Sequence, residues 1–316
     1  MDLSRQDLAN WMIAVGRRIE PMMRLLREEI RSGPVVNIDE TKVQVLDEPG
    51  RANTSTSYMW VFVGGPPGTK LVAYYYHPRR TKQVPFEYLE GYEGFLQTDG
   101  YEGYAELGRQ PGVQHVGCWA HVRRKFFEAA KIAKRQGAGS AEVALSRIAT
   151  LYAVEKTLRS QATLSEEEFA HARREKLIPH LADFHVWLRE RSLQVPPSLP
   201  LGEAVNYALG EWEKLLRYLE SPALTPDNNV CENAIRPFVL GRKNWLFSGC
   251  PSGAHASAAL YSLIETAKAA SVDPYLYLRF LFSNLPLSNE SSDFRPYLPH
   301  AVSKADLIDF SRVRLI

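Results

Sequence analysis

Three runs between residues 35 and 76 limit what this chain can become. Residues 35–46 alternate apolar and polar side chains, while 58–63 and 71–76 are apolar and aromatic throughout. A turn-rich connection over 47–57 and the Gly64–Gly68 turn separate them. Such a series predicts three strands joined as an antiparallel meander. A short helical segment near 85–89 leads to a fourth strand over 94–99, and a helix from Tyr101 leads to a fifth over 114–118. Two strands joined through a helix are expected to run parallel. The expected fold class is α/β, with a mixed five-stranded sheet flanked by helices.

The rest of the chain reads as helix. Over 4–32, Ser4 and Asp7 have capping-box spacing, and Leu8, Trp11, Met12, Val15, Ile19, Met22, Met23 and Leu26 form an apolar stripe. That stripe predicts one long helix, packed on the body of the protein or against a second subunit. Over 120–135, Val122, Phe126, Ala129, Ala130 and Ala133 face one way, with Arg124, Glu128, Lys131 and Arg135 opposite and Arg123 and Lys125 flanking. The charged side is either a solvated face or a phosphate-binding one. Residues 138–219 are helical, with breaks expected after Pro179 and at Pro196, Pro197 and Pro200. His171, His180 and His185 are scattered there without zinc-site spacing. Helices follow over 252–270 and from Asp273-Pro274, and the polar tail from Ser288 is expected to pack loosely. The expected segments are an N-terminal helix (1–33), a core in two parts (34–137 and 222–285), an inserted helical subdomain (138–221) and a tail (286–316).

Composition narrows the class. In 316 residues, 45% are hydrophobic and 23% charged, which suits a globular protein of about two domains. A net charge of +2 means that any nucleic-acid surface must come from local clustering. Cys118, Cys231 and Cys250 lack C-x-x-C spacing, which argues against a disulfide framework and a four-ligand zinc site. No run is long and apolar enough for a bilayer, and no signal peptide opens the sequence, so a cytoplasmic protein is expected.

The stretch 225–249 carries the candidate chemistry. Thr225-Pro226 reads as a helix start, Val230, Ala234, Ile235 and Phe238 as a buried stripe, and Asn228, Asn229, Glu232 and Arg236 as a polar face. Pro237 is expected to kink or end the helix. The following residues, including Arg242, Lys243 and Trp245, are basic and aromatic. Two further carboxylates stand out. Asp39 interrupts an apolar strand, where an uncompensated charge is costly. Asp99 ends a strand and precedes Gly100, a common place for catalytic residues in α/β sheets. If the three converge they would repel unless a cation sat among them, and oxygen donors favour Mg²⁺ or Mn²⁺. Two such ions about 4 Å apart suit phosphodiester transfer. The bland readings are a solvent-facing Asp39–Glu40 pair and a plain Asp99–Gly100 turn.

Five motifs, in order, resemble those of the DDE transposases of bacterial insertion sequences, in particular the insertion-sequence-sixty-six family. They are Ile38-Asp39-Glu40-Thr41, Thr98-Asp99-Gly100-Tyr101, 117–126, 228–237 and 241–249. The resemblance implies an RNase H-like core with an all-helical insertion between the second and third acidic residues. Asp39, Asp99 and Glu232 would be the catalytic, metal-holding triad. The implied reaction is metal-dependent cleavage at the ends of a mobile element, followed by strand transfer. The implied partners are double-stranded DNA, further copies of the chain on DNA and accessory proteins of the same element. Arg123, Arg124, Lys125, Arg236, Arg242, Lys243 and Trp245 are the candidate DNA contacts, with Trp245 either stacking on a displaced base or buried in the core. Longer members carry an N-terminal zinc-binding and helix-turn-helix region; here the sequence starts at the segment that would follow it, as in a truncated product or part of a longer chain. The alternative is a remnant that binds DNA without catalysis; a stand-alone RNase H-like nuclease fits the motifs around Glu232 less well.

Overall fold

The structure, a computed structural model, describes residues 3–133, 139–161, 163–285, 293–303 and 305–307. Helices α1 (Arg5–Arg18) and α2 (Glu20–Ser32) lead into strands β1 (Val35–Val45), β2 (Thr56–Gly64) and β3 (Leu71–His77). After α3 (Gln83–Tyr88) come β4 (Gly94–Gln97), two single 3₁₀ turns and β5 (Val113–Val116). Five helices follow: α4 (Trp119–Ala133), α5 (Ser140–Arg159), α6 (Glu166–Gln194), α7 (Pro200–Gly210) and α8 (Trp212–Leu216). The chain then runs through α9 (Asn229–Trp245), β6 (Phe247–Ser248), α10 (Pro251–Ala269) and α11 (Pro274–Asn284). It forms two compact units, Met1–Gly94 with Val230–Ile316, and Phe95–Asn229. The protein is mixed α/β, and all five expected strands are present. Among the described residues, no helix is long and apolar enough to cross a membrane.

In the first unit β2 pairs antiparallel with both β1 and β3, as the meander requires, and β6 adds a short parallel partner to β1. This sheet is therefore mixed. An edge strand leaves unpaired backbone groups, and here α10 satisfies several of them. The Val72 amide donates to Thr266 Oγ1 (3.0 Å), which donates back to the Val72 carbonyl (3.0 Å). The Tyr74 amide donates to Ser262 Oγ (2.7 Å). The small residues of α10 let it lie close enough for these short side chains to reach. Its other side meets α1, where a Cβ placed on Gly16 would lie 2.7 Å from Ala256.

The N-terminal stripe is split between two helices. Ile19, Met22, Leu26 and Ile30 are buried, whereas Leu8, Trp11 and Met12 stay about half exposed. The break falls at Ile19, just before Pro21, whose ring cannot donate to the carbonyl of Arg17; the Ile19 amide itself still bonds to the Val15 carbonyl (3.0 Å). The same residue type does not interrupt α6 or α9. Pro179 and its i−4 residue Glu175 both lie on the exposed side of α6, so water can take the released carbonyl. The tail also differs from expectation. Residues 286–292 and 308–316 lie outside the described ones, but Phe294, Leu298, Val302 and Leu307 are buried with Tyr277 and Leu281 of α11.

In the second unit β4 and β5 are neighbours, and the helices pack through a buried aromatic group, Trp119, Phe126, Phe184 and Trp212. Arg173 is fully buried. It faces Glu155 (3.5 Å) and donates to the carbonyls of Tyr218, Ser221 and Leu224, so the charge is compensated and the turn after α8 is held to α6. His115 on β5 is buried with its Nε2 2.8 Å from Thr98 Oγ1. Burial, then Lys214 and Arg217, push its pKa down to about 3.

Two outcomes follow from these contacts. Thr266→Val keeps the shape but removes the partner of two buried groups on β3, and should cost about 2 kcal/mol in urea unfolding. His115 is neutral when folded, while its unfolded form takes up a proton near pH 6.5. Its contribution is therefore complete above that pH and is lost as pH falls from 6.5 towards 3. The expected loss is about 1.4 kcal/mol per pH unit, and His115→Gln should flatten that slope in unfolding measured between pH 7 and 4.

Candidate active site

Alternation along β1 decides which carboxylate faces where. Successive side chains of a strand point to opposite faces. Val43 and Val45 pack in one apolar cluster with Cys231, Ala234, Ile235 and Phe238 of α9, so the odd-numbered residues of β1, Asp39 among them, belong to the α9 face. Glu40 is on the other face, where Arg80 forms an ion pair with it. The Glu40 amide donates to Asp39 Oδ1 (2.9 Å), which steadies the aspartate. The reading of Asp39 and Glu40 as a matched solvent-facing pair is therefore replaced by two residues with separate environments.

Helix α9 is seated by its apolar stripe. The Cys231 thiol is buried and directed at the carbonyls of Val61 (3.4 Å) and Asn37 (3.7 Å). Burial first, then the carboxylates of Asp39 and Glu40, hold that thiol far above its ordinary pKa, and Glu232 adds to the effect. Asp39 thus lies within electrostatic reach of the residue preceding Glu232. Both carboxylates are half-buried, on β1 and α9 of one unit.

The helix begins at Asn229 rather than at Pro226. Thr225 donates its hydroxyl to the Asp227 carbonyl, and Asp227 accepts from the Asn229 amide (3.1 Å) and side chain (2.7 Å). Asp227, not Thr225, thus receives the first amides. The helix also continues through Pro237 to Trp245. The carbonyl that proline leaves without a donor belongs to Asn233, which is exposed, and the next one, of Ala234, accepts the Tyr74 hydroxyl. Tyr74 is a residue the sequence reading missed as part of this site; nothing in a strand's apolar pattern announces a hydroxyl aimed at a helix.

Asp99 belongs to the other unit. It follows β4 and accepts the Tyr101 amide through Oδ1 (2.9 Å), a turn of the kind aspartate favours. Tyr207 of α7 lies beside it; burial, then Glu211 and Asp99, raise the phenol's pKa.

The basic candidates separate by exposure. Arg123, Arg124 and Lys125 are all exposed on α4. Arg124 approaches His121 Nε2 (3.3 Å), and Lys125 Nζ sits 4.7 Å from the centre of the Tyr207 ring. Arg236 and Lys243 are exposed on α9. Arg242 is half-buried and donates to Thr41 Oγ1 (3.1 Å) on β1. Trp245 is half-buried, edge-on to Phe238 with ring centres 5.2 Å apart, so packing holds it in place.

Comparison with known proteins agrees with the resemblance seen in the motifs. Residues 1–256 match the family described as Transposase IS66 family, and residues 262–300 match the IS66 C-terminal element. The uncharacterized protein y4qI of Sinorhizobium fredii (strain NBRC 101917 / NGR234) is 29% identical over 95% of this chain and 56% of its own length. Two more proteins of that strain, the uncharacterized y4jD and y4hP, are 30% and 29% identical over 87% and 88% of this chain, and 55% and 52% of their own lengths. The chain thus spans about half the length of these relatives. With one match running from its first residue through the Asp39, Asp99 and Glu232 motifs, the chain belongs to the IS66 transposase family.

Proposed function

We propose that this chain is the catalytic core of a DDE transposase with an RNase H-like fold, which cuts DNA at the ends of an insertion sequence and joins the freed 3′ ends to a target. The observation that supports the reading is that Asp39 lies on the α9 face of β1, within electrostatic reach of Cys231, the residue before Glu232. Asp99 completes the triad in this reading. Converging carboxylates would repel, and their oxygens suit a hard divalent ion such as Mg²⁺ or Mn²⁺. Asp39, Glu232 and Asp99 would hold one or two such ions. When bound, they would polarise the scissile phosphate and lower the pKa of the attacking water or hydroxyl. The chain's own part is to fix the oxygens. β1 sets Asp39 through the Glu40 amide, the Asp99 turn is set by Tyr101, and α9 is anchored by Cys231 and Tyr74.

The DNA would meet the exposed cations of α4 and α9. Arg123, Arg124, Lys125, Arg236 and Lys243 can neutralise phosphates without disturbing the core, whereas Arg242 also braces α9 against Thr41. Double-stranded DNA is the substrate in this reading, bound by two or more copies of the protein.

The reading is tested with a plasmid carrying the element's ends. Asp39→Asn and Glu232→Gln should each lower Mn²⁺-dependent nicking by about a thousandfold while leaving duplex binding within about twofold. Nicking at the parental rate by either variant would remove that residue from the triad. No nicking by the parent, with binding intact, would point to a DNA-holding protein without catalysis. Lys243→Ala and Arg236→Ala should each reduce the slope of log affinity against log salt by about one, measured by fluorescence anisotropy.

A further inference from the structure

We propose that Tyr207, on the helix after Pro200, is a positioning residue for the Asp99 carboxylate, acting through the Gly100 backbone. This rests on the reading of Asp99 as a metal-holding residue. All the groups concerned lie in one compact unit, Phe95–Asn229. The Tyr207 phenol lies directly against Gly100, the residue after Asp99. The two residues are so close that a Cβ on Gly100 would lie 2.3 Å from Tyr207 Oη and 2.8 Å from Cε2. Glycine is needed there for space, because the phenol fills the position any side chain would take. Asp99 is thereby held on both sides: the Tyr101 amide donates to its Oδ1 (2.9 Å) and Tyr207 packs against the residue that follows it.

The phenol is itself fixed. Lys125 Nζ lies 4.7 Å from its ring centre, a cation–π distance, and α7 carries it on a face packed against α4, where Ala204 and Ala208 are buried. Packing alone would be served as well by phenylalanine. What tyrosine adds is one oxygen, and that oxygen lies against Gly100, next to Asp99. Partners of this kind orient a ligand, and their loss typically lowers metal affinity or activity about 10- to 100-fold. A helix of the inserted segment thereby governs the geometry of a carboxylate more than a hundred residues earlier.

Tyr207→Phe keeps the ring beneath Lys125 and removes only the oxygen. The experiment compares it with the parent chain and with Asp99→Asn in three measurements: Mn²⁺ binding without DNA by titration calorimetry, kcat and KM for nicking, and thermal unfolding. The expected result for Tyr207→Phe is Mn²⁺ affinity and kcat each reduced about tenfold, with KM for DNA unchanged. Gly100→Ala, which forces the phenol away, should give the same pattern. If both variants bind Mn²⁺ and turn over within twofold of the parent, with only the melting temperature lowered, Tyr207 is structural and the inference is overturned. If Asp99→Asn itself binds Mn²⁺ and nicks like the parent, the catalytic reading of Asp99 fails and takes this inference with it. Loss in Asp99→Asn with no change in Tyr207→Phe overturns the inference alone.

Discussion

The seating of α9 on the β1–β2 pair is the contact on which the first unit depends. A strand shows alternate residues to a covering helix, so once Val43, Val45 and Met59 are buried against Cys231 and Phe238, the position of Asp39 follows. A shift of one residue in register would bury Glu40 beneath the helix and turn Asp39 towards Arg80. The register is held by eight paired positions between β1 and β2, from Asn37–Val63 to Gln44–Thr56. An ordinary hydrophobic requirement thus settles where a charged group goes.

Hydroxyl groups reaching backbone recur around this sheet. Ser262 and Thr266 serve the outer side of β3, and Tyr74 serves a carbonyl of α9 one turn before Pro237. In each case a buried backbone group that regular secondary structure leaves in need finds a partner on another element. An unsatisfied buried group costs about 1–3 kcal/mol, so these contacts weigh more than their number suggests. Pro237 can sit within the helix that carries Glu232 without ending it because the carbonyl it releases, of Asn233, is exposed to water.

The sequence made the order and type of nearly every element legible. Strands in the first third of the chain are short and bounded by glycine and proline, and the later helices have clear periodicity. Prolines were the least legible. Pro21 separates two helices while Pro179 and Pro237 do not, although the local rule is the same for all three. The difference lies in where the released carbonyl can turn, which depends on exposure and on residues far away in sequence. The tail was misjudged because prolines and polar residues surround Phe294, Leu298 and Val302, yet each is buried in the cluster that includes α11. Asp39 and Glu232 could be singled out as candidates, but that Asp39 faces α9 could not be seen, because strand register and the seating of the helix decide it. Tyr207 gave no signal at all, since a tyrosine in an amphipathic helix reads as packing.

The separate surroundings of the acidic residues bear on how such a site can work. Glu40 is paired with Arg80, while Asp39 and Glu232 both act on the buried Cys231 thiol, whose pKa is held well above its ordinary value. A neutral sulfur within reach of these carboxylates adds no charge of either sign. It does not draw the oxygens into an ion pair, as an arginine in that place would. Burial of Cys231 thus anchors α9 without adding a charge beside Asp39. Lysine or arginine at position 231 would seat the helix poorly and would compete with any cation for the same oxygens. An uncharged, compact residue is what both packing and chemistry favour there, and cysteine is among the most readily buried of that kind.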